Sequence, residues 1–134
     1  MSLKQLSFLL DGVYVGGTKK MGRGVYTRTA IAEGEIVEVA PVIVMTAKDR
    51  TLLDQTLLHD YIFEWGEQRN QCCMALGLVP IYNHSYQANC EYEMYFGKEV
   101  ITIKTVRAVA AGEELFINYN GDWDSEKKVW FEVV

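Results

Sequence analysis

Short alternating stretches of apolar and polar residues, punctuated by glycine, run through most of the chain and predict β-strands. Val13-Tyr14-Val15 follows the turn pair Asp11-Gly12, and Gly24-Val25-Tyr26-Thr27-Arg28 follows a loop over residues 16–23 rich in Gly and Lys. Residues 71–76 and 78–82 flank Gly77 as apolar β-segments, residues 90–96 and 100–106 predict a hairpin around Gly97-Lys98, and residues 114–119 predict a last strand. One segment has helical spacing instead: leucines recur along one face from Thr51 to Leu58, and Thr46 or Asp49 is placed to cap the entry. His59 to Gly66 breaks that period and reads as irregular or strand.

Two turns share one pattern. Ala30-Ile31-Ala32-Glu33-Gly34-Glu35-Ile36-Val37 has a near copy in Ala108-Val109-Ala110-Ala111-Gly112-Glu113-Glu114-Leu115. Each sets a Gly where positive φ is cheap, between β-branched neighbours, and so predicts a tight turn between strands. A repeat so short and isolated excludes a solenoid.

Composition narrows the class. With 134 residues, 49% of them hydrophobic and 23% charged, the chain has the size of one globular domain, which buries roughly two thirds of its unfolded surface. Its apolar run from Ile36 to Met45 is broken by Glu38 and Pro41 and is too short to span a bilayer, and the N-terminus lacks a signal-peptide pattern. The expectation is an intracellular protein. A net charge of -5 and a pI near 5.0 argue against direct nucleic-acid binding and are compatible with a basic polypeptide substrate. Cys72, Cys73 and Cys90 form no C-x-x-C pair, so they read as buried reduced thiols and no metal site is expected.

Candidate chemistry lies in Tyr82-Asn83-His84-Ser85-Tyr86-Gln87-Ala88-Asn89-Cys90. Amide, imidazole and hydroxyl side chains crowd together there without apolar periodicity, just past an expected strand end. About thirty residues on, the strand opened by Gly112-Glu113 ends on Tyr119, immediately before the turn Asn120-Gly121-Asp122. These residues alone leave a buried hydrogen-bonded turn and a ligand site both open.

Taken in order, the motifs resemble the SET-domain family of protein lysine methyltransferases in its minimal form, over roughly residues 13–131. Met21-Gly22-Arg23-Gly24-Val25 resembles the first Gly-x-Gly motif and Ala32-Glu33-Gly34-Glu35 the first turn. Asp60-Tyr61 resembles the mid-domain aromatic, Tyr82-Asn83-His84-Ser85 with Asn89 the central motif, and Gly112-Glu113-Glu114-Leu115 with Tyr119 the final one. The resemblance implies a mainly β fold with short helices, built of several small sheets with a knot-like C-terminal threading. It also implies three parts: an extension over 1–12, the SET domain over 13–121, and a tail over 122–134 that closes the site. Where the family commonly has Cys after the Ser and Pro before the second Asn, this chain has Tyr86 and Ala88. That Cys often accompanies a downstream zinc cluster, and no cysteine follows Cys90. The tail aromatics Trp130-Phe131 resemble those of zinc-free members.

The function so implied is methyl transfer from S-adenosyl-L-methionine to a lysine side chain of a protein or peptide, such as a histone. By the same resemblance Tyr119 is the catalytic residue. Gly22, Arg23, Gly24, Tyr61, Asn83, His84 and Trp130 bind the cofactor, and Tyr92 and Trp123 line the lysine channel along with Tyr61 and Tyr119. The expected setting is cytoplasmic, or nuclear in a eukaryote, without membrane contact, and a homodimer that completes the substrate groove is compatible with so small a domain. A noncatalytic module of the same fold that docks lysine-rich peptides is the alternative, and cofactor binding separates the two.

Overall fold

The computed structural model describes residues 6–20, 22–120 and 126. In chain order the strands are β1 (Phe8–Leu9), β2 (Val13–Thr18), β3 (Gly22–Thr27), β4 (Ile36–Met45), β5 (Phe63–Trp65), β6 (Gln71–Ala75), β7 (Asn83–His84), β8 (Cys90–Tyr95), β9 (Val100–Thr105) and β10 (Glu114–Ile117). One helix, α1 (Ala47–Leu53), and two 3-10 turns (Leu57–Asp60 and Val79–Ile81) complete the elements. Strands dominate, as the alternation predicts, and they form two curled sheets. A six-stranded sheet runs β5-β6-β4-β9-β8 with β1 paired to β4, and a four-stranded sheet runs β2-β3-β10-β7. Between them lies one core that includes Val25, Val37, Tyr82, Ile101, Ile103, Leu115 and Ile117.

The two copied turns lock each other. Ile31 and Val109 exchange N–H···O bonds at 2.9 and 2.8 Å. The Gly34 N–H donates to the Thr105 carbonyl while the Gly112 N–H donates to that of Thr27, at 3.0 and 2.7 Å. In return the Thr105 and Thr27 N–H groups donate to Glu35 and Glu113, at 3.0 and 3.2 Å. Both glycines have positive φ, +78° and +89°, which permits these reversals at little steric cost. Each half satisfies the other, and β3 is thereby brought beside β10 just as β9 is brought beside β4.

Three local expectations are corrected. The helix spans Ala47–Leu53 rather than residues 51–58, because Thr46 and Asp49 form a reciprocal capping box that starts it earlier. None of its residues is buried, and Leu52 and Leu57 face solvent, so their spacing does not mark a packed face. Residues 78–82 hold the Val79–Ile81 3-10 turn instead of a strand, since Pro80 has no N–H to give a ladder and the Leu78 N–H is bound to the Glu38 carboxylate at 2.8 Å. The stretch over 16–23 is shorter as a loop than predicted: Gly16 and Gly17 pair in register with Gly24 and Arg23. The 90–106 hairpin matches its expectation, and Cys72, Cys73 and Cys90 are all buried.

β10 positions the site, and its edges are closed in an unusual way. β7 pairs with it in parallel for only two residues, Asn83 opposite Phe116 and His84 opposite Ile117. On the other edge the Asn89 carboxamide, 3% exposed, takes the role of a peptide unit: Nδ2 donates to the Glu114 carbonyl and Oδ1 accepts from the Phe116 N–H, both at 2.8 Å. Asn89→Ala strands two buried backbone groups, each worth about 1–3 kcal/mol. A loss of about 2–4 kcal/mol is therefore expected in urea unfolding, with the far-UV spectrum kept at low denaturant. A loss below about 0.5 kcal/mol would mean that water replaces the carboxamide.

Candidate active site

Three strands converge at Gly24 of β3, Asn83 of β7 and Glu114 of β10. Asn83 Nδ2 donates to the Arg23 carbonyl and to Glu114 Oε2, both at 2.8 Å. Two acceptors on one nitrogen fix the amide, because a flip would set its oxygen against both, and Oδ1 is left as the acceptor. Gly24 is required by space: a Cβ there would overlap Glu114 Oε2 and lie 2.9 Å from Asn83 Nδ2. Gly22 differs, having φ of +76° and open space around it. Gly22 thus leaves main chain open beside a fixed carboxamide, while the space at Gly24 is filled by Glu114 and Asn83.

The second half of the site is aromatic. His84 is 2% exposed, and its Nδ1 accepts the Tyr119 N–H at 3.0 Å, so the ring proton resides on Nε2. The Tyr86 ring meets His84 edge-on with centroids 4.6 Å apart, and the Tyr119 ring lies 5.2 Å from His84. The Tyr119 hydroxyl donates to the Tyr82 carbonyl at 2.6 Å. Burial pushes the Tyr119 phenol up to about 12, with smaller contributions from Tyr61 and Glu114, so it stays protonated at neutral pH.

Tyr92, on β8, turns inward with Met94 toward the core. Its hydroxyl reaches the Tyr119 carbonyl at 3.4 Å and its ring stands edge-on to Phe63 at 5.6 Å. Tyr61, half-buried at the end of the Leu57–Asp60 turn, lies close enough to Tyr119 to act on its phenol. The structure thus brings Gly22, Arg23, Gly24 and Asn83 to one end and His84, Tyr61, Tyr92 and Tyr119 to the other. Trp123 and Trp130 lie outside the described residues, as does the tail over 122–134 apart from residue 126.

Sequence reasoning missed Glu38 and Phe63 as parts of this arrangement, and it placed Tyr82 and Glu114 inside motifs without giving either a task. Glu38 carried a signal of its own, a lone carboxyl inside an apolar run that must find a buried partner. Among the described residues no cluster of His, Cys, Asp and Glu is placed to hold a metal ion, and no helix is long and apolar enough to cross a membrane.

Burial lowers the His84 pKa from its ordinary 6.5. A base that stays neutral in the fold contributes stability present above 6.5 and lost as pH falls through the lowered value. One imidazole is therefore expected to titrate below 6.5 by proton NMR, and stability should fall with it. His84→Gln should flatten that part of the stability profile relative to wild type; a signal that this variant loses and that titrates above 6.5 in the wild type would contradict a ring kept neutral by burial.

Comparison with known proteins bears on this geometry. The SET domain family matches residues 22–120. A Schizosaccharomyces pombe histone-lysine N-methyltransferase, H3 lysine-37 specific, is 30% identical over 116 residues, covering 86% of this chain and 74% of that protein. A Plasmodium falciparum histone methyltransferase candidate is similar in structure, with TM-score 0.65 and 23% identity over 86% of this chain and 98% of that one. The Chaetomium thermophilum Polycomb Repressive Complex 2, autoinhibited and bound to S-adenosylmethionine, is similar with TM-score 0.68 and 24% identity over 81% of this chain and 15% of that one. At such identities the structural likeness speaks for the fold. The matched segment begins at Gly22 and runs through Asn83, His84 and Tyr119, and the chain belongs to the SET domain family.

Proposed function

We propose that this chain is a protein-lysine N-methyltransferase that uses S-adenosyl-L-methionine and takes as substrate a lysine exposed on a histone or another basic protein. One observation carries the reading: Tyr119 is tied at its N–H to His84 and at its hydroxyl to the Tyr82 carbonyl, which places a protonated phenol beside the Asn83-His84 strand. The histone-lysine methyltransferase relative supports the same class. If the substrate is a histone, the protein works where histones are, in a nucleus. The domain proposed to do this spans 13–121, with the tail over 122–134 closing the site through Trp130 on the cofactor and Trp123 on the lysine.

The residues present fit the cofactor. Asn83 Oδ1, fixed as an acceptor, suits an ammonium, and the open main chain at Gly22, beside Arg23 and Gly24, allows a close approach. Bound there, S-adenosyl-L-methionine would supply an electrophilic methyl on a sulfonium, which would pass to the neutral lysine amine as the sulfur leaves as a thioether. The protein's share is orientation and desolvation. A free lysine has pKa near 10.4, so about one in a few thousand is neutral at pH 7, and a channel of Tyr61, Phe63 and Tyr92 rings disfavours the ammonium. Tyr119 acts as a fixed dipole: with its phenol near 12, only about one in 10⁵ is tyrosinate at pH 7, too few to serve as base. Its proton is held by Tyr82, and its oxygen orients the reacting groups.

The direct test is incubation with labelled S-adenosylmethionine against histones and a lysate, read by mass spectrometry. Tyr119→Phe is expected to keep the fold and the cofactor affinity while lowering methyl transfer by about a hundredfold or more, the scale at which a placed polar group matters. Wild-type turnover in that variant would end the assignment.

Tyr92 bears on how many methyls are added. Its hydroxyl points toward the Tyr119 carbonyl, which on this reading is the end of the channel where the amine lies. A methylated amine needs that space and would leave the buried hydroxyl poorly bonded, at a cost of about 1–3 kcal/mol. Tyr92→Phe should raise the share of di- and trimethylated product while leaving the first transfer little changed. Identical product masses at equal turnover would return Tyr92 to a packing role.

A further inference from the structure

We infer that Glu38, in the middle of β4, positions the hydroxyl of Tyr119 through Tyr82: its carboxylate holds the Tyr82 side chain, and the Tyr82 carbonyl holds Tyr119. Glu38 is 2% exposed, among the buried Val37, Val39 and Ala40. The register with β9 slips between Ile36 and Glu38, and such an irregularity re-aims a side chain that plain alternation would place elsewhere. Oε1 accepts the Tyr82 hydroxyl at 2.9 Å and Oε2 accepts the Leu78 N–H at 2.8 Å. Gly77, at φ of +73°, has no room for a Cβ because Oε2 fills that place. One carboxylate therefore grips both ends of the turn over 78–82, from which the chain enters β7.

Both partners of Glu38 are neutral, and burial raises its pKa. A carboxylate in such surroundings is an expensive closure for a turn that apolar packing would also close. Its specific effect is geometric. Tyr82 is fully buried, so pinning its hydroxyl fixes the ring, the Cα and with them the direction of the carbonyl that the Tyr119 hydroxyl meets at 2.6 Å. A hydroxyl that must stand in line with a transferring methyl is sensitive to small displacements of its acceptor. Glu38 touches no reacting atom and acts only through this relay.

The inference rests on the methyl-transfer reading for the task of Tyr119, but its geometry can be tested without turnover. The full chain is prepared as wild type, Tyr82→Phe, Glu38→Leu and Glu38→Gln, with tyrosines carrying ¹³C at Cζ and the Tyr119 signal assigned by its loss in Tyr119→Phe. In Tyr82→Phe and Glu38→Leu the Tyr119 signal is expected to shift or broaden. The kcat should fall about tenfold, the scale of one lost hydrogen bond, with KM within about twofold and cofactor affinity kept. Glu38→Gln should bring both readouts back toward wild type, because its amide oxygen can accept from Leu78 while its amide N–H donates to the Tyr82 oxygen. If Glu38→Leu fails to fold, Tyr82→Phe, which removes one oxygen atom, decides. A lower melting temperature with the Tyr119 signal and kcat unmoved would reduce Glu38 to a core residue and overturn the inference. Should the wild type transfer no methyl group, the functional reading fails while the Tyr119 signal still decides the relay.

Discussion

The closing of β10 is the constraint on which the rest depends. β10 is four residues long and β3 pairs only with Glu114 and Leu115, so the peptide groups left over would be buried unpaired at about 1–3 kcal/mol each. No full strand covers them. On one edge the Asn89 carboxamide takes the Glu114 carbonyl and the Phe116 N–H; on the other a two-residue strand and an imidazole nitrogen serve Ile117 and Tyr119, and all of these belong to the polar stretch that the sequence marks as a candidate site. Asn83, His84 and Asn89 are thus structural, and Asn83 and His84 are also the residues proposed to bind the cofactor. A hydrogen-bonded turn and the proposed ligand site do not exclude each other, because the bond that ties Asn83 to Glu114 also fixes its carboxamide.

Electrostatics at the site follow from the same closure. Burial keeps Tyr119 and Tyr82 protonated and His84 neutral, so the groups around the phenol act as dipoles rather than charges. Such a site is suited to a reaction whose demand is alignment and dehydration. It is poorly suited to strong base chemistry, since burial raises the pKa of both the Tyr119 and the Tyr82 phenol. Glu114 supplies a carboxylate nearby, and it is spent in fixing the Asn83 amide.

Much of this was legible in the chain. Alternation located the strands, the copied Gly-Glu turns announced the paired reversals, and ordered motifs brought Gly22, Gly24, Asn83, His84 and Tyr119 together before any coordinates. What stayed hidden was hidden for physical reasons. The leucines of 51–58 have helical spacing but no face to bury, and periodicity cannot tell an exposed apolar stripe from a packed one. The turn over 78–82 looked apolar enough for a strand until Pro80 and the Glu38 carboxylate removed the ladder. Asn89 standing in for a peptide unit leaves no trace in local pattern at all, since its partners are 25 and 27 residues away.

The reciprocal turns also explain how one local geometry serves two tasks. Their exchanged bonds equate Thr27 with Thr105, and stepping back along each strand equates Gly22 and Gly24 of β3 with Val100 and Thr102 of β9. On the preceding strands Val15, paired with Val25, then corresponds to Tyr92, paired with Ile103. In the six-stranded sheet β9 lies between β4 and β8, and its side chains are buried almost throughout. In the smaller sheet β3 carries glycine at two of those positions, and at Gly22 the space is open. Val15 remains exposed, whereas Tyr92 turns in against Phe63 toward Tyr119. Side-chain volume on two matched hairpins decides which one leaves main chain open and which one sends a tyrosine toward Tyr119, and the mutually satisfied turns hold the two at a fixed separation.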